Sequence, residues 1–600
     1  MVGQKRTKID AGQTSPAGAS EAESVCLHDA QTGQWLDFSR PYRVITTSKA
    51  EEVVACLREV ERLVASHGWA AAGFLAYEAA PAFDAALQVR AESCFPLLRF
   101  GLYPPPRPVD LPEPTLEPPD LVWCPTVDQA EYRAAVERVQ RFIAAGETYQ
   151  VNYTYRLRAP FSSDAWSLFV GLAATHGPQY GGFIQTPDWA ILSLSPELLF
   201  QRSGENIVSI PMKGTIGRAL SAVDDLRQGE RLRNSSKDRA ENVMIVDMVR
   251  NDLARIAWPG TVRVENLFAV QRYPTLWQMV STVSARTGAS LADTFAALFP
   301  AASITGAPKA RTMAIIRELE SEPRRIYTGT IGFVLPDRRA QFNVAIRTLL
   351  IDRQNKTAEY GVGGGITADS TASAEWEETR LKSLLCRTRQ PDFSLLETLL
   401  WTPEEGYAYL AEHLHRLSGS ADYFSYPCTV ENIRAQLSAV VAGYQGVSQR
   451  VRLLLDCKGA VRIENVPYEP LARSRPVRVA LAPHPIDDQD VFLYHKTTCR
   501  ELYTLMRAGL GEDVDDVLLY NRRGEITETT IANVVVSIDG REYTPPVRCG
   551  LLAGTCRQYL LASGQVFERV ILLDWFRSQS VFTLINSVRG PYPAVLVSID

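Results

Sequence analysis

Two lysines lie in segments that could carry covalent chemistry: Lys213 within residues 211–215 and Lys496 within residues 494–500. A lysine amine attacks carbon only when it is uncharged, so its pKa has to be lowered by burial or by a nearby cation. For Lys213, an ordinary exposed loop lysine is the competing interpretation. We predict that both amines are uncharged and form covalent bonds, one in each half of the chain.

Three glutamates are candidate metal ligands. Glu241 shares a helical face with apolar residues of the segment 241–252, and Glu375 and Glu378 are three apart, on one side of a second predicted helix. A carboxylate on an apolar face is unfavourable unless it is paired or metal-bound. The alternatives are a solvated helix-start glutamate and an ion pair between Glu378 and Lys382. Oxygen ligands with open water positions suit Mg²⁺.

The composition is that of a folded protein with more than one domain. The 600 residues exceed what one hydrophobic core supports, and 46% hydrophobic with 22% charged residues is ordinary. A net charge of −5 predicts no nucleic-acid-binding surface and no membrane-surface patch, and no apolar run reaches about 18 residues. Ten cysteines without a Cys-x-x-Cys pair predict reduced thiols in a cytoplasm. Residues 1–24 lack the apolar stretch of a secretory signal and are expected to form a disordered tail.

Polar and proline-containing segments mark the predicted boundary between the domains. Residues 386–392 are expected to link a first domain, 25–385, to a second, 393–600. In the first domain, apolar spacing predicts a helix over residues 129–145, followed by a strand over 149–155. The two parts share no motif, so the chain reads as a fusion of two enzymes.

The first domain resembles the chorismate-utilising enzymes. The resemblance rests on residues 211–215, 241–252 and 303–309, together with the segments that surround the residues named below. It implies an α/β sandwich of antiparallel sheets, with chorismate as the substrate. It also implies Mg²⁺ between the substrate carboxylate, Glu241 and Glu378, with Glu375 close by.

Further site residues follow from the same resemblance. Tyr327 and Arg347 match the positions that hold the enolpyruvyl carboxylate, which suits the planar fork of arginine. Lys382 is expected on the substrate side of the same site. Hydroxyl and backbone groups are expected to approach the substrate at Thr305, Gly363, Gly364 and Gly365.

Two positions favour one branch of this family, the aminodeoxychorismate synthases, and a third departs from the family pattern. Water-adding members carry a lysine at the position of Gln150, and anthranilate synthases carry a small residue at that of Lys213. In the favoured branch this lysine is proposed to attack ring C2 and expel the C4 hydroxyl, after which ammonia displaces the lysine. Gln278 stands where many members have histidine, and glutamine cannot act as a base. No stretch resembles a glutaminase triad, so a separate glutamine amidotransferase subunit is the expected ammonia source.

The second domain resembles the fold-type IV pyridoxal-phosphate enzymes. The resemblance implies a two-subdomain α+β fold and pyridoxal 5'-phosphate as cofactor. Lys496 matches the lysine that bonds the cofactor, and Glu528 matches the carboxylate beside its pyridine nitrogen. Arg416 and Thr555 match its phosphate contacts. Residues 586–590 match a closing motif of lyase members, and members of this group commonly form homodimers.

Together the two resemblances predict a bifunctional enzyme of 4-aminobenzoate synthesis for folate. The first domain would aminate chorismate, and the second would release pyruvate from the product. One alternative is an anthranilate synthase-like domain fused to a D-amino-acid or branched-chain aminotransferase; Lys213 and Gln278 count against it. A non-catalytic scaffold is the other. Residual transaminase activity, oligomeric state, direct transfer of the intermediate and any feedback site are not predicted from the sequence.

Overall fold

The computed structural model describes residues 23–92, 94–114, 121–383, 392–470, 475–508, 511, 513–577 and 581–597. The chain divides into two compact units, of which the first comprises residues 1–217 and 229–390. The second comprises residues 391–600 together with Arg218–Gln228. The assignment of Arg218–Gln228 to the second unit was not predicted from the sequence. The predicted tail 1–24 and linker 386–392 fall outside the described residues, except that Ser24 begins a strand and that Glu23 and Asp392 are described.

The first unit is built mainly from strands. In chain order they are β1 (Ser24–Asp29), β2 (Gln34–Phe38), β3 (Arg43–Thr47), β4 (Ala70–Leu75), β5 (Leu98–Tyr103), β6 (Arg107–Val109), β7 (Cys124–Pro125), β8 (Gln150–Pro160), β9 (Gly182–Gln185), β10 (Trp189–Ser193), β11 (Leu198–Ser203), β12 (Asn206–Ile210), β13 (Met212–Gly217), β14 (Arg263–Arg272), β15 (Leu276–Arg286), β16 (Gly306–Ala307), β17 (Thr330–Leu335), β18 (Arg339–Asn343), β19 (Thr348–Asp352) and β20 (Thr357–Ile366). The helices are α1 (Ala50–His67), α2 (Gln129–Ala144), α3 (Ala165–His176), α4 (Ala222–Asn234, which begins in the second unit), α5 (Ser236–Ala254), α6 (Leu291–Leu298), α7 (Lys309–Leu319) and α8 (Ala372–Ser383).

Two antiparallel sheets face each other and carry helices on their outer faces. One sheet has the order β16-β8-β20-β19-β10-β9-β1-β2-β6, with β7 beside β8; the other has β13-β15-β12-β11-β18-β17-β4-β5-β3, with β14 beside β15. A buried cluster containing Val25, Phe74 and Ile331 fills the space between the sheets. The outer faces pack against α1 and α6 on one side and α2 and α3 on the other. This is the α/β sandwich of antiparallel sheets that was predicted.

The helix and strand predicted after the proline-rich segment are confirmed. α2 begins with a capping box, in which Asp128 accepts from the Glu131 amide and Glu131 accepts from the Asp128 amide. β8 runs on from Gln150 and is buried along most of its length, because it lies between β20 and β16. The segment therefore leads from a surface helix directly into the centre of the sandwich.

The second unit is mixed α+β. Its strands are β21 (Leu395–Thr402), β22 (Gly406–Tyr407), β23 (Gln449–Leu455), β24 (Val461–Pro467), β25 (Val477–Leu481), β26 (Asp516–Tyr520), β27 (Ile526–Thr529), β28 (Asn533–Ile538), β29 (Arg541–Thr544), β30 (Phe567–Glu568), β31 (Val581–Asn586) and β32 (Gly590–Val597). Its helices are α9 (Leu410–Phe424), α10 (Val430–Val440), α11 (Glu501–Arg507), α12 (Thr555–Ala562) and α13 (Leu573–Arg577).

Two sheets define two subdomains in this unit, as the fold-type IV resemblance implies. The smaller sheet has the order β22-β21-β23-β24 and packs against α9 and α10, and the larger has β27-β26-β25-β32-β31-β28-β29-β30. β25 pairs in parallel with both β26 and β32. In the part of the chain that the structure describes, no helix has the length and apolar character needed to cross a membrane.

Candidate active sites

A cavity of about 160 Å³ in the first unit gathers most of the residues predicted for the first site. Its walls come from β13, α5, β20 and α8, elements that are far apart in the sequence. Nine of the predicted residues line it, namely Lys213, Glu241, Tyr327, Arg347, Gly363, Gly365, Glu375, Glu378 and Lys382. The sandwich therefore brings the candidate nucleophile, the candidate metal ligands and the candidate carboxylate-binding groups into one pocket.

The Lys213 side chain extends from β13 to the glycine-rich end of β20. A Cβ on Gly365 would lie 2.1 Å from Lys213 Nζ and 2.7 Å from Gln150 Nε2, so the amine occupies space that only a glycine leaves open. Nζ is 3.7 Å from Glu241 Oε2, and both side chains are 13% exposed. The amine thus lies inside the pocket, beside a carboxylate.

Gln278 and Asn242 hold the strand that carries Lys213. The Gln278 amide donates to the Gly214 carbonyl at 2.7 Å and accepts from the Thr215 hydroxyl at 3.1 Å. The Asn242 amide donates to the Lys213 carbonyl at 3.4 Å and accepts from the Ser281 hydroxyl at 2.7 Å. Both polar atoms of the Gln278 side-chain amide therefore bond to β13, and Gln278 holds this strand in position.

The three candidate metal ligands differ in their charged partners. Burial raises the pKa of Glu375, and the charge of Glu378 raises it further. Burial alone would raise the pKa of Glu378 as well, but Lys382, 2.7 Å away, outweighs it and the pKa is lowered. Glu241 lies 4.0 Å from Lys237. Among the described residues, no group of three carboxylate, imidazole or thiol side chains is arranged to hold a metal ion.

The donor set nevertheless fits Mg²⁺ in one respect. This ion takes one or two protein carboxylates and completes its octahedron with water and substrate oxygens. Glu241 and Glu378 line the same small cavity and would supply that number. The residues present therefore suit a metal that is shared with a substrate carboxylate, and they do not form a closed protein cage.

Tyr327 and Arg347 also line the pocket. The Tyr327 ring packs where a Cβ on Gly361 would lie 2.2 Å from Cγ, so a second glycine of β20 makes room for it. Burial lowers the pKa of the Arg347 guanidinium, which lies 5.2 Å from the centroid of the Tyr273 ring. Arg347 has a positive φ of 50°, a conformation that non-glycine residues adopt at sites where the surrounding structure imposes it.

Two predicted residues lie outside the lining of this cavity. The Thr305 hydroxyl donates to the Ala301 carbonyl at 3.0 Å, and this bond holds the turn that follows α6. A Cβ on Gly364 would lie 2.9 Å from Glu375 Oε2, so this glycine gives room to Glu375. The approach of Thr305 and Gly364 to a substrate stays a prediction.

Glu197 is a buried carboxyl in this pocket that the sequence reasoning missed. It is 3% exposed, and burial raises its pKa to about 7 although the Ser303 hydroxyl donates to it at 2.5 Å. A protonated carboxyl near neutral pH can donate a proton to a leaving group. The available signal was a lone acidic residue inside the apolar run that precedes β11.

A larger cavity of about 600 Å³ in the second unit contains the predicted cofactor residues. Arg416, Lys496, Glu528 and Thr555 all line it, together with residues 586–589 of the closing motif. They come from α9, the segment before α11, β27 and the start of α12. The resemblance thus located four side chains that the fold brings into a single cavity.

Burial favours the uncharged forms of both Lys496 and Glu528. Burial lowers the pKa of Lys496 to about 8, and the charge of Arg416 acts in the same direction. Burial raises the pKa of Glu528 to about 7. Tyr503 donates to Glu528 at 2.9 Å and Asn533 donates to it at 3.2 Å, which fixes the carboxyl at the cavity wall.

Arg416 is oriented by Glu397, a second buried carboxylate whose role was not predicted. Glu397 accepts from Arg416 at 2.6 and 2.9 Å and pairs with His413 at 2.6 Å. Burial alone would raise the pKa of Glu397, but Arg416 and His413 lower it to about 2. The Thr555 hydroxyl lies 3.3 Å from the other His413 nitrogen. One carboxylate therefore links both predicted phosphate contacts.

The end of the cavity at α12 fits a phosphate. Thr555 is the first residue of α12, so backbone amides of the first turn lack helical acceptors and favour an anion. A Cβ on Gly554 would lie 2.0 Å from Asn533 Oδ1, so glycine is needed for this close approach. Lys496, Glu528, Arg416 and the α12 amides together match the reactive, ring-nitrogen and phosphate ends of pyridoxal 5'-phosphate.

Comparison with known families agrees with this division of the chain. Residues 22–385 match the family model described as chorismate binding enzyme. The chain belongs to the chorismate-binding enzyme family. Residues 394–597 match a second model, described as amino-transferase class IV. The chorismate-binding unit is thus followed by a domain of the class IV aminotransferases.

Relatives of two kinds resemble the chorismate-binding part. Aminodeoxychorismate synthase component 1 of Salmonella typhimurium is 40% identical over 264 residues, which are 43% of this chain and 57% of that protein. Anthranilate synthase component 1 of Streptomyces coelicolor is 38% identical over 264 residues, 44% of this chain and 51% of that protein. The chain thus spans little more than half the length of these relatives. The degree of identity does not by itself separate the two kinds.

Solved structures support the fold. Anthranilate synthase component I from Streptococcus pneumoniae aligns with a TM-score of 0.52 and 22% identity, covering 64% of this chain and 95% of that one. At this identity the likeness concerns architecture alone. It agrees with the sandwich of antiparallel sheets described above.

Proposed function

We propose that this protein makes 4-aminobenzoate from chorismate in two steps, one in each unit. The first unit aminates chorismate at ring C4, and the second removes pyruvate from the aminated product. The observation that carries the proposal is the placement of a lysine amine in each of two separate cavities, each beside a buried carboxyl of raised pKa.

In the first step Lys213 is the nucleophile and Glu197 the acid. The Lys213 amine bonds to ring C2, the two ring double bonds shift from C1=C2 and C5=C6 to C1=C6 and C4=C5, and the C4–O bond breaks as Glu197 gives its proton to the departing hydroxyl, which leaves as water. Ammonia then bonds to C4, the double bonds return, and the C2–N bond to Lys213 breaks. Arg347 and Tyr327 hold the enolpyruvyl carboxylate during both displacements.

Two further components belong to this step. Mg²⁺ held by Glu241 and Glu378, with Glu375 nearby, would neutralise the ring carboxylate and orient the ring. Ammonia would come from a separate glutamine amidotransferase subunit, in line with the component 1 designation of the relatives. A homodimer through the second unit and a cytoplasmic location complete the proposal.

In the second step the residues of the larger cavity act on the aminated ring. Pyridoxal 5'-phosphate bound there would supply an electron sink for the carbon that bears the amine. Lys496 takes the proton from C4 through Nζ, which its pKa of about 8 allows near neutral pH. The C3–O bond breaks, the ring becomes aromatic, and the departing enolpyruvate gains a proton and becomes pyruvate. Glu528 would hold the cofactor ring nitrogen, and Arg416 with the α12 amides would bind the phosphate.

An anthranilate-forming first unit is the main competing activity, since relatives of that kind are similarly identical. Two observations favour the amination at C4. Lys213 fills the pocket where a small residue would leave space, and both amide atoms of Gln278 are engaged with β13, so no base stands at that position. A product that stays non-aromatic after the first step also gives the second unit a substrate.

The test supplies the full chain with chorismate, Mg²⁺, ammonium and pyridoxal 5'-phosphate and follows products by chromatography. Pyruvate and 4-aminobenzoate in equal amounts are expected. The appearance of 2-aminobenzoate would establish the competing activity, and the absence of both aromatic products would refute the proposal.

Two lysine variants distinguish the loss of a nucleophile from the loss of a positive charge near Glu241. Lys213→Ala should abolish amination by ammonia, because it removes the amine that bonds to ring C2. Lys237→Ala serves as the matched control, since it removes a second positive charge near Glu241 from a side chain that is 54% exposed. Retained amination in Lys213→Ala, or an equal loss in both variants, would contradict the nucleophilic role.

A further inference from the structure

The segment Arg218–Gln228 lies within the sequence range of the chorismate-binding family but belongs to the second unit. It follows directly after β13, the strand that carries Lys213. Its first residues are fixed by buried contacts. Arg218 pairs with Asp225 at 2.7 Å, and these side chains are 6% and 1% exposed. The segment is thus an ordered part of the second unit.

Arg218 also fastens the segment to α9. Its guanidinium donates to the Tyr423 carbonyl at 3.0 Å and stacks over the Tyr423 ring at 4.1 Å from the centroid. The Ala219 amide donates to Asp225 at 3.1 Å. These contacts fix the backbone between Arg218 and Asp225, and with it the direction of the Leu220 carbonyl.

The Leu220 carbonyl accepts from His495, the residue immediately before Lys496. His495 Nε2 lies 3.0 Å from the Leu220 oxygen, and Nδ1 lies 2.9 Å from the Ser420 hydroxyl. A carbonyl only accepts, so Nε2 carries the proton and Nδ1 accepts from Ser420. Burial lowers the pKa of His495 to about 4, so the ring stays neutral with this tautomer. It packs against the rings of Tyr423 and Phe424 at 4.4 and 4.8 Å.

The same segment also packs on the hydrophobic core of the second unit. The Leu220 side chain lies against a cluster that includes Leu493, Tyr494 and Tyr503. Tyr503 of this cluster donates to Glu528. The segment therefore contacts the neighbour of the candidate lysine and packs on the cluster to which the partner of the candidate ring-nitrogen carboxyl belongs.

We propose that residues 218–225 are a positioning segment of the second site, which fixes Lys496 through His495. On this view a piece of the first family's sequence completes the second family's active site. Arg218 and His495 act on Lys496 through the backbone and contact no reacting atom, so they are positioning residues. The inference rests on the proposed use of Lys496 to bond the cofactor.

Variants of the segment test it in the full chain. Arg218→Gln removes the ion pair and the stacking that fix Leu220 while leaving every residue of the cofactor cavity in place. Arg227→Gln is the matched control: it lies on the same segment, is 68% exposed and pairs only with the exposed Asp224 among the ion pairs of the described residues. His495→Leu removes both ring hydrogen bonds, and His495→Gln retains a donor for Leu220.

The measurements are the dissociation constant of pyridoxal 5'-phosphate by fluorescence titration and the pH midpoint of the absorption band of the bound cofactor. Arg218→Gln and His495→Leu should weaken cofactor binding about 2- to 10-fold, the range that one net hydrogen bond contributes, and shift that midpoint. His495→Gln should recover part of both effects, and Arg227→Gln should match the unaltered chain.

The outcomes separate this inference from the proposed function. If the unaltered chain does not bind pyridoxal 5'-phosphate through Lys496, the proposed function of the second unit fails. If it binds, but Arg218→Gln and His495→Leu keep the same affinity and pH midpoint, the positioning role is refuted. The positioning role would also be refuted if these two variants lowered the midpoint of thermal unfolding and left the pH midpoint of the cofactor absorption band unchanged. That result would mean that the contacts stabilise the fold without affecting Lys496.

Discussion

Gly365→Ala should displace the candidate nucleophile without unfolding the protein. The new Cβ would lie 2.1 Å from Lys213 Nζ, whereas ordinary van der Waals contact begins at 3.4 Å, so the amine has to retreat by more than 1 Å. The obstructing atoms are the ends of two flexible side chains, Lys213 and Gln150, so the backbone of β20 can stay in place. A misplacement of about 1 Å lowers a reaction rate by roughly 100-fold, equivalent to about 2.7 kcal/mol of activation free energy.

The assay measures kcat/KM for chorismate with ammonium in the full chain. Gly217→Ala is the matched control, because a Cβ there meets nothing within 4 Å on the strand that carries Lys213. The release of pyruvate from supplied aminodeoxychorismate reports on the second unit and should be unchanged in both variants. Full amination activity in a folded Gly365→Ala protein would refute the inferred position of the Lys213 amine.

Three further results are expected. Glu197→Gln should lower the amination rate about 100-fold or more, the usual contribution of a general acid. It should also remove the decline in rate that we expect for the unaltered protein above pH 7, where Glu197 loses its proton. An unchanged pH profile would exclude Glu197 as the acid. Because burial raises the pKa of Glu197 from 4.5 to about 7, the folded protein keeps a proton that the unfolded chain releases in that window. The free energy of unfolding therefore falls as pH rises between these values, and urea titrations should show a shallower fall in Glu197→Gln. Chelation of Mg²⁺ should stop amination and leave pyruvate release from aminodeoxychorismate unaffected; equal inhibition of both would contradict a metal confined to the first unit.

Short-range patterns were enough to predict the local elements. The apolar spacing of residues 129–145 predicts α2, and the aromatic and β-branched residues that follow predict β8. These signals work because helix ends and strand faces are set by neighbours in the sequence. The sandwich itself was predicted through the family resemblance, since no local pattern specifies which strands pair across some 200 residues.

The candidate sites were only partly predictable, for a physical reason that Glu197 and Glu397 illustrate. Each is a buried acid whose pKa depends on groups distant in the sequence: Ser303 for Glu197, and Arg416 with His413 for Glu397. Although both carboxyls are buried, the pKa of Glu197 is raised and that of Glu397 is lowered. The difference comes from the cationic partners, so residue type alone does not reveal the charge state.

The glycines of β20 have a role in the structure besides the predicted approach to a substrate. Residues 363–365 were expected to approach a substrate through their backbone. In the structure the alternation of a strand gives successive glycines to opposite faces, so that Gly365 makes room for Lys213 and Gly364 for Glu375. Because glycine has no side chain, Gly364 and Gly365 leave space for candidate catalytic groups that belong to other elements. Substitutions at these positions are accordingly expected to act on the placement of those groups, which Gly365→Ala tests directly.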